Sequence, residues 1–134
     1  MSEPAIQGED TSEILFEEGI IGVPRARRFQ LLERSGSPVR VLRCLDIEGF
    51  AIPTVDPLAA DPQYRPEIGT RIADAVDLQE GDPILLLAVA TIEPDGPKAN
   101  LRAPLVINVR RRLAAQVILE DRSYPLRAPL RTTA

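Results

Sequence analysis

The sequence predicts a mainly β fold, a small single-domain antiparallel sheet, closed or nearly closed in a barrel-like way, with short helical turns. Three observations point there. Seven or eight short runs, apolar throughout or at alternate positions, are separated by turn residues. Thirteen prolines are hard to place in helical domains. Only one stretch, Ile68, Ile72 and Val76, repeats at the spacing of a helix face.

Taken in order, residues 1–12 are acidic and aperiodic and read as a disordered tail, 13–130 as one β domain, and 131–134 as a frayed end. Ile14-Leu15-Phe16 opens the first strand. Gly19-Ile20-Ile21-Gly22 follows, its glycines bracketing side chains that look buried, until Pro24 ends the run. Phe29 to Glu33, the turn Ser35-Gly36-Ser37-Pro38 and Val39 to Asp46 make a hairpin. Ala51 to Val55 is another strand, stopped by Asp56-Pro57. A proline-rich loop surrounds Tyr64, then a short helix carries Ile72 and Val76, with Thr70 as its cap. Ile84 to Ile92 is apolar at nearly every position, as in a strand covered on both faces. Residues 93–97 make a five-residue hairpin loop into the next strand. Arg110-Arg111-Arg112 turns the chain, Gln116 to Leu119 is a last strand, and Asp121 onward is proline-interrupted tail.

The organising stretch is Asn100 to Asn108. At a period of two it divides into Leu101, Ala103, Leu105 and Ile107 on one side and Arg102, Pro104, Val106 and Asn108 on the other. Pro104 has no N–H to give a ladder, so the strand lies at a sheet edge or bulges there. Such an edge is either a docking surface or a guard against aggregation.

Net charge is −4, spread in blocks of −6 (residues 1–20), +5 (21–45), −9 (46–97) and +6 (98–134). A long acidic block suits a basic partner, or it is simply solvated surface. The single cysteine, Cys44, alternates with Leu42 and reads as a buried structural thiol, which fits a reducing compartment. The acidic start lacks a signal-peptide pattern, and the run from Ile84 to Ala90 is too short to cross a bilayer, so a cytoplasmic location is expected.

The chain contains no histidine, which removes the usual base for a serine or cysteine nucleophile and the usual zinc ligand sets. Asp46 with Glu48, or Asp56 with Asp61, are the carboxylate pairs that an enzyme would use. No phosphate-binding glycine loop is present. No metal or cofactor is therefore expected. A small barrel binding single-stranded RNA through Arg110 to Arg112 is the rival reading, weakened because no aromatic side chains interleave with the arginines. By elimination the residues point to recognition of another macromolecule.

Several stretches together resemble the flagellar assembly factor FliW family. They are Gly19-Ile20-Ile21-Gly22, Arg28-Phe29 with Leu31-Leu32, Val55-Asp56-Pro57, Tyr64-Arg65-Pro66-Glu67, Asn100 to Asn108, Gln116-Val117-Ile118-Leu119 and Arg127-Ala128-Pro129-Leu130. The similarity runs from Ile14 to Leu130. Two departures from the family pattern stand out: Val23, where an aromatic is usual, and Ala114-Ala115, in a turn where glycine is frequent.

The resemblance implies a non-enzymatic cytoplasmic β protein, and a monomer is expected when it is alone. Its implied partners are the RNA-binding regulator CsrA, whose repression of flagellin translation it would antagonise, and flagellin, which would exchange with that regulator. The partner-binding residues expected are Asn100, Arg102, Pro104, Asn108, Gln116 and Tyr124, exposed positions in and around the motif. Asp56, Asp61 and Glu67 are expected to steer a basic partner.

Overall fold

The computed structural model describes residues 6–7 and 12–131. Its strands are β1 (Ile6–Gln7), β2 (Ile14–Phe16), β3 (Arg28–Arg34), β4 (Arg40–Cys44) and β5 (Ala51–Val55), followed by helices α1 (Pro57–Ala60) and α2 (Gly69–Ala75). Strands β6 (Ile84–Glu93), β7 (Gly96–Ala99), β8 (Leu105–Asn108), β9 (Leu113–Gln116) and β10 (Ala128–Pro129) complete the chain. Among the described residues all ten strands belong to one hydrogen-bonded sheet. Strands β6, β5, β4, β3, β2, β9 and β8 run side by side in that order, and β8 pairs back to β6, so the sheet closes into a ring. Every pairing is antiparallel except β2 with β9, where Leu15 and Phe16 face Leu113 and Ala114 in parallel. The barrel-like, mainly β fold read from the sequence is the one found.

The ring is filled from inside and covered on one outer side. Phe16, Phe29, Leu42, Leu87, Leu105 and Ile107 pack in its interior. The two phenylalanine rings meet edge to face at 5.3 Å, an arrangement worth about 0.5–1.5 kcal/mol beyond the area it buries. A second cluster, including Val55, Tyr64, Ile72, Ala88, Leu101, Val106 and Val117, joins the outer face of β6 and β8 to the helices and the C-terminal segment. Strand β8 is therefore buried on both faces: Leu105 and Ile107 belong to one cluster and Val106 to the other. None of the described helices is long and apolar enough to cross a membrane.

The organising stretch departs from its reading as a half-buried edge strand. Only Leu105–Asn108 is strand, all four residues are buried, and both neighbours, β6 and β9, are paired to it. Residues 100–104 form a bulge between β7 and β8, which follow one another along β6. Between the pairs Ala90–Ala99 and Leu87–Leu105, two residues of β6 face five of its partner, so three are extra. Pro104 is accommodated inside that bulge.

Other differences are local. The hairpin loop after β6 is the two residues Pro94 and Asp95 rather than 93–97. Strand β9 begins at Leu113, so Ala114-Ala115 lie in a strand and Ala114 in the core, not in a turn. The expected strand from Gln116 to Leu119 is only the continuation of β9. Asp56-Pro57 ends β5 but also starts a helix, because Asp56 Oδ1 accepts the Leu58 N–H at 2.9 Å and Pro57 is preset for the first turn. Helix α2 is where the spacing placed it, yet Ile68, not Thr70, is its N-cap and no side chain caps it. The C-terminal tail supplies β10, which pairs with β7. Of the acidic tail, 1–5 and 8–11 lie outside the described residues, while Ile6–Gln7 pair with Glu33 and Arg34 of β3. Of 131–134, only Arg131 is described, and its N–H donates to Ala59 O at 2.8 Å.

Candidate protein-docking surface

The turn after β2 requires glycine at position 19. Its φ is +75°, and a Cβ there would lie 2.2 Å from Pro24 O. From this point Ile20 and Val23 exchange backbone hydrogen bonds, at 3.3 Å and 2.8 Å. The bridge drives Ile20 into the core and turns Ile21 out, to 52 % exposure. The bracketed isoleucines thus have opposite fates, where the sequence suggested that both were buried.

Gln116, at the end of β9, fixes this turn to the bulge. Its Oε1 accepts the Ile21 N–H at 3.0 Å and its Nε2 donates to Ala103 O at 3.2 Å. Within the bulge, Asn100 Oδ1 accepts the Arg102 N–H at 2.9 Å, a local turn that asparagine forms readily. Arg102 then reaches the C-terminal segment, donating from Nε to Tyr124 O at 2.9 Å and from Nη2 to Arg122 O at 3.1 Å. That clamp brings Leu126 alongside. Past β9, Val117 and Leu119 are buried and Ile118 between them faces out.

Ile21, Ile118 and Leu126 therefore meet around one depression of about 320 Å³, with Asn100, Arg102, Ala103 and Gln116 completing its lining. They are three of the six large apolar side chains that the described residues leave exposed. Single exposed apolar residues are ordinary, whereas a group of them with a polar rim has the make-up of a protein-contact surface. A groove of about 750 Å³ adjoins it at Ile118, running between residues 65–72 and residues 117–124.

Of the positions read from the motif, Asn100, Arg102 and Gln116 line the depression, and each also holds the local backbone in place. Tyr124 lines the groove instead, half-buried, its ring 5.2 Å from that of Tyr64. The Tyr64 hydroxyl donates to Leu101 O at 2.7 Å, and burial pushes its pKa up. Pro104 is buried and its carbonyl accepts the Val117 N–H.

Asn108, expected to be exposed, is fully buried. Its Nδ2 donates to Val76 O at 2.9 Å and Asp82 Oδ2 at 3.1 Å, and its Oδ1 accepts from Arg110 N and Arg111 N. It belongs to the fold rather than to any surface. The acidic set is not brought together: Asp56 and Asp61 flank α1 and accept backbone N–H groups of Leu58 and Gln63, while Glu67 is exposed in the groove.

The two rival chemistries find their groups engaged elsewhere. Asp46 accepts the N–H groups of Arg27 and Arg28 and the Arg28 guanidinium, which lower its pKa to about 2. In the arginine turn, Arg110 and Arg111 sit 3.0 Å and 3.2 Å from the carboxylate of Asp82, so that turn is partly neutralised by the fold.

Sequence reasoning did not single out Ile21, Ile118 or Leu126. Each sits in an apolar context, and nothing local distinguishes the isoleucine that points out from its neighbour that points in. The available signal was the alternation Val117-Ile118-Leu119, which was read as strand and not followed to its outer face.

Comparison with known proteins gives a consistent result. A family model described as FliW protein matches residues 2–130. The flagellar assembly factor FliW of Syntrophus aciditrophicus is 30% identical over 125 residues, covering 91% of this chain and 79% of that protein. Its counterpart in Thermotoga neapolitana is 32% identical over 126 residues, covering 91% and 85%. A crystal structure of the flagellar assembly factor FliW superposes with a TM-score of 0.83 at 27% identity, over 95% of this chain and 91% of that one.

Proposed function

The chain belongs to the FliW family, and from that premise we propose that it is a non-enzymatic flagellar assembly factor of the bacterial cytoplasm that acts by holding protein partners. The partners are the RNA-binding regulator CsrA, whose repression of flagellin translation it antagonises, and flagellin, which exchanges with it. The observation that carries the protein-holding part is the convergence of Ile21, Ile118 and Leu126 on one rimmed depression. The relatives' name, flagellar assembly factor, supports the cellular setting.

Exchange needs no chemistry. Two ligands compete through their affinities and abundances alone, so abundant flagellin leaves the regulator free and its export releases the factor to capture the regulator. The test is to titrate the purified chain with CsrA, with flagellin, and with both. Two complexes that displace one another are expected; no measurable binding to either protein would contradict the proposal.

A further inference from the structure

The register of β8 with β9, Leu105 opposite Gln116, does not end where the strands do. Val117 N–H donates to Pro104 O at 2.9 Å and Leu119 N–H to Arg102 O at 2.8 Å, carrying the same pairing on to Arg102 opposite Leu119. In an extended chain successive residues direct their backbone groups to opposite edges. Ile118 and Glu120 therefore direct theirs away from the bulge. Among the described residues neither has a hydrogen-bond partner. Strand β2 occupies that same edge of β9 at Leu113 and Ala114 and then leaves it after Phe16. The edge runs on without it, along the floor of the 750 Å³ groove.

We infer that Ile118 and Glu120 take an extended segment of a protein partner as an added strand lying in this groove. The inference rests on the reading above that the protein acts by holding protein partners. Two unpaired N–H and two unpaired C=O groups in register ask for an extended backbone, and backbone pairing at an open edge is a recurring mode of peptide capture. The opposite wall, residues 65–72, faces the edge closely enough to line the same groove.

Charge narrows the segment further. Glu120 and Asp121 lie on the edge side and Arg65, Glu67 and Arg71, a net positive set, on the wall side. Among the described residues Glu120, Arg65 and Arg71 have no ion-pair partner. The segment accordingly carries a cation beside Glu120 and a carboxylate opposite Arg71. Ile118 reaches both the groove and the neighbouring depression, so an apolar side chain of the segment fits the depression.

The experiment is amide hydrogen exchange on the full chain, alone and saturated with CsrA or with flagellin. The Ile118 and Glu120 amides are expected to exchange freely alone and at least about tenfold more slowly in a complex. Binding is then measured for Ile118→Pro and Glu120→Pro, which each remove an outward N–H that the free fold does not use, beside Ile118→Val and Glu120→Asp, which keep that N–H and, at 120, the charge. The proline variants are expected to bind at least about tenfold more weakly and the controls nearly normally. Should a proline variant melt early, the exchange result on the unaltered chain decides. A complex formed without protection of either amide overturns this inference and leaves the proposed function standing; protection caused by self-association also overturns it. Failure of both proteins to bind removes both readings.

Discussion

At the scale of single residues, buried polar groups decide more than exposed ones. Asn108 satisfies both ends of its amide with groups that come from the end of α2, from Asp82 and from the arginine turn. Asn108→Ala leaves those groups unmet in a dry site and is expected to cost about 2–4 kcal/mol, measured by urea unfolding. Its partners at the end of α2 and at Asp82 are 26 to 32 residues away in sequence, which is why an alternating pattern could place it on the side of Val106 but not show that this side is covered. Gly19 was read only as bracketing buried side chains, whereas the structure makes it a turn that needs glycine: Gly19→Ala sets a Cβ 2.2 Å from Pro24 O. A loss of about 2–4 kcal/mol in the same assay is expected. Asp46 sets an acid limit. Its carboxylate is held to a pKa of about 2 against an ordinary 3.8, first by the Arg28 and Arg27 N–H groups and then by the Arg28 guanidinium. A depressed folded value means that this stabilisation is present above 3.8 and is lost as pH falls toward 2. Thermal unfolding as a function of pH is expected to fall through that window and to fall less steeply in Asp46→Asn.

At the scale of elements, local pattern located most strands and missed what closes them. Ala51–Val55 was read to the residue and β6 to within one, because apolar runs bounded by proline and glycine are local signals. The parallel seam of β2 with β9 joins residues about a hundred positions apart, and no periodicity reports such a pairing. Phe16 lies in that seam, fully buried against Phe29. Phe16→Ala is expected to cost about 3–5 kcal/mol and to speed exchange of the Leu15 amide, which donates across the seam to Arg112 O. The bulge at 100–104 was foreseen only as one of two ways to house Pro104. The choice was made by β9, whose pairing on the far side of β8 leaves no free edge there.

At the scale of the whole molecule, the charge blocks meet and cancel in part. Arg28 pairs with Asp46, Arg110 and Arg111 with Asp82, and Arg127 with Glu93, each linking a basic block to the acidic one. This consumes acidic groups of the central block, though not Asp56, Asp61 or Glu67, and the depression of Ile21, Ile118 and Leu126 offers apolar contact for a partner. Because those three apolar side chains come from separate parts of the chain, no stretch of sequence displays the surface whole. The measurement that tests its role most directly is the affinity of Ile21→Asp/Leu126→Asp for CsrA and for flagellin, by calorimetry beside the unaltered chain. Both side chains are about half exposed, so the melting temperature is expected to hold while affinity for at least one partner falls at least about tenfold. Binding of both partners at unaltered strength by this correctly folded variant would contradict the assignment.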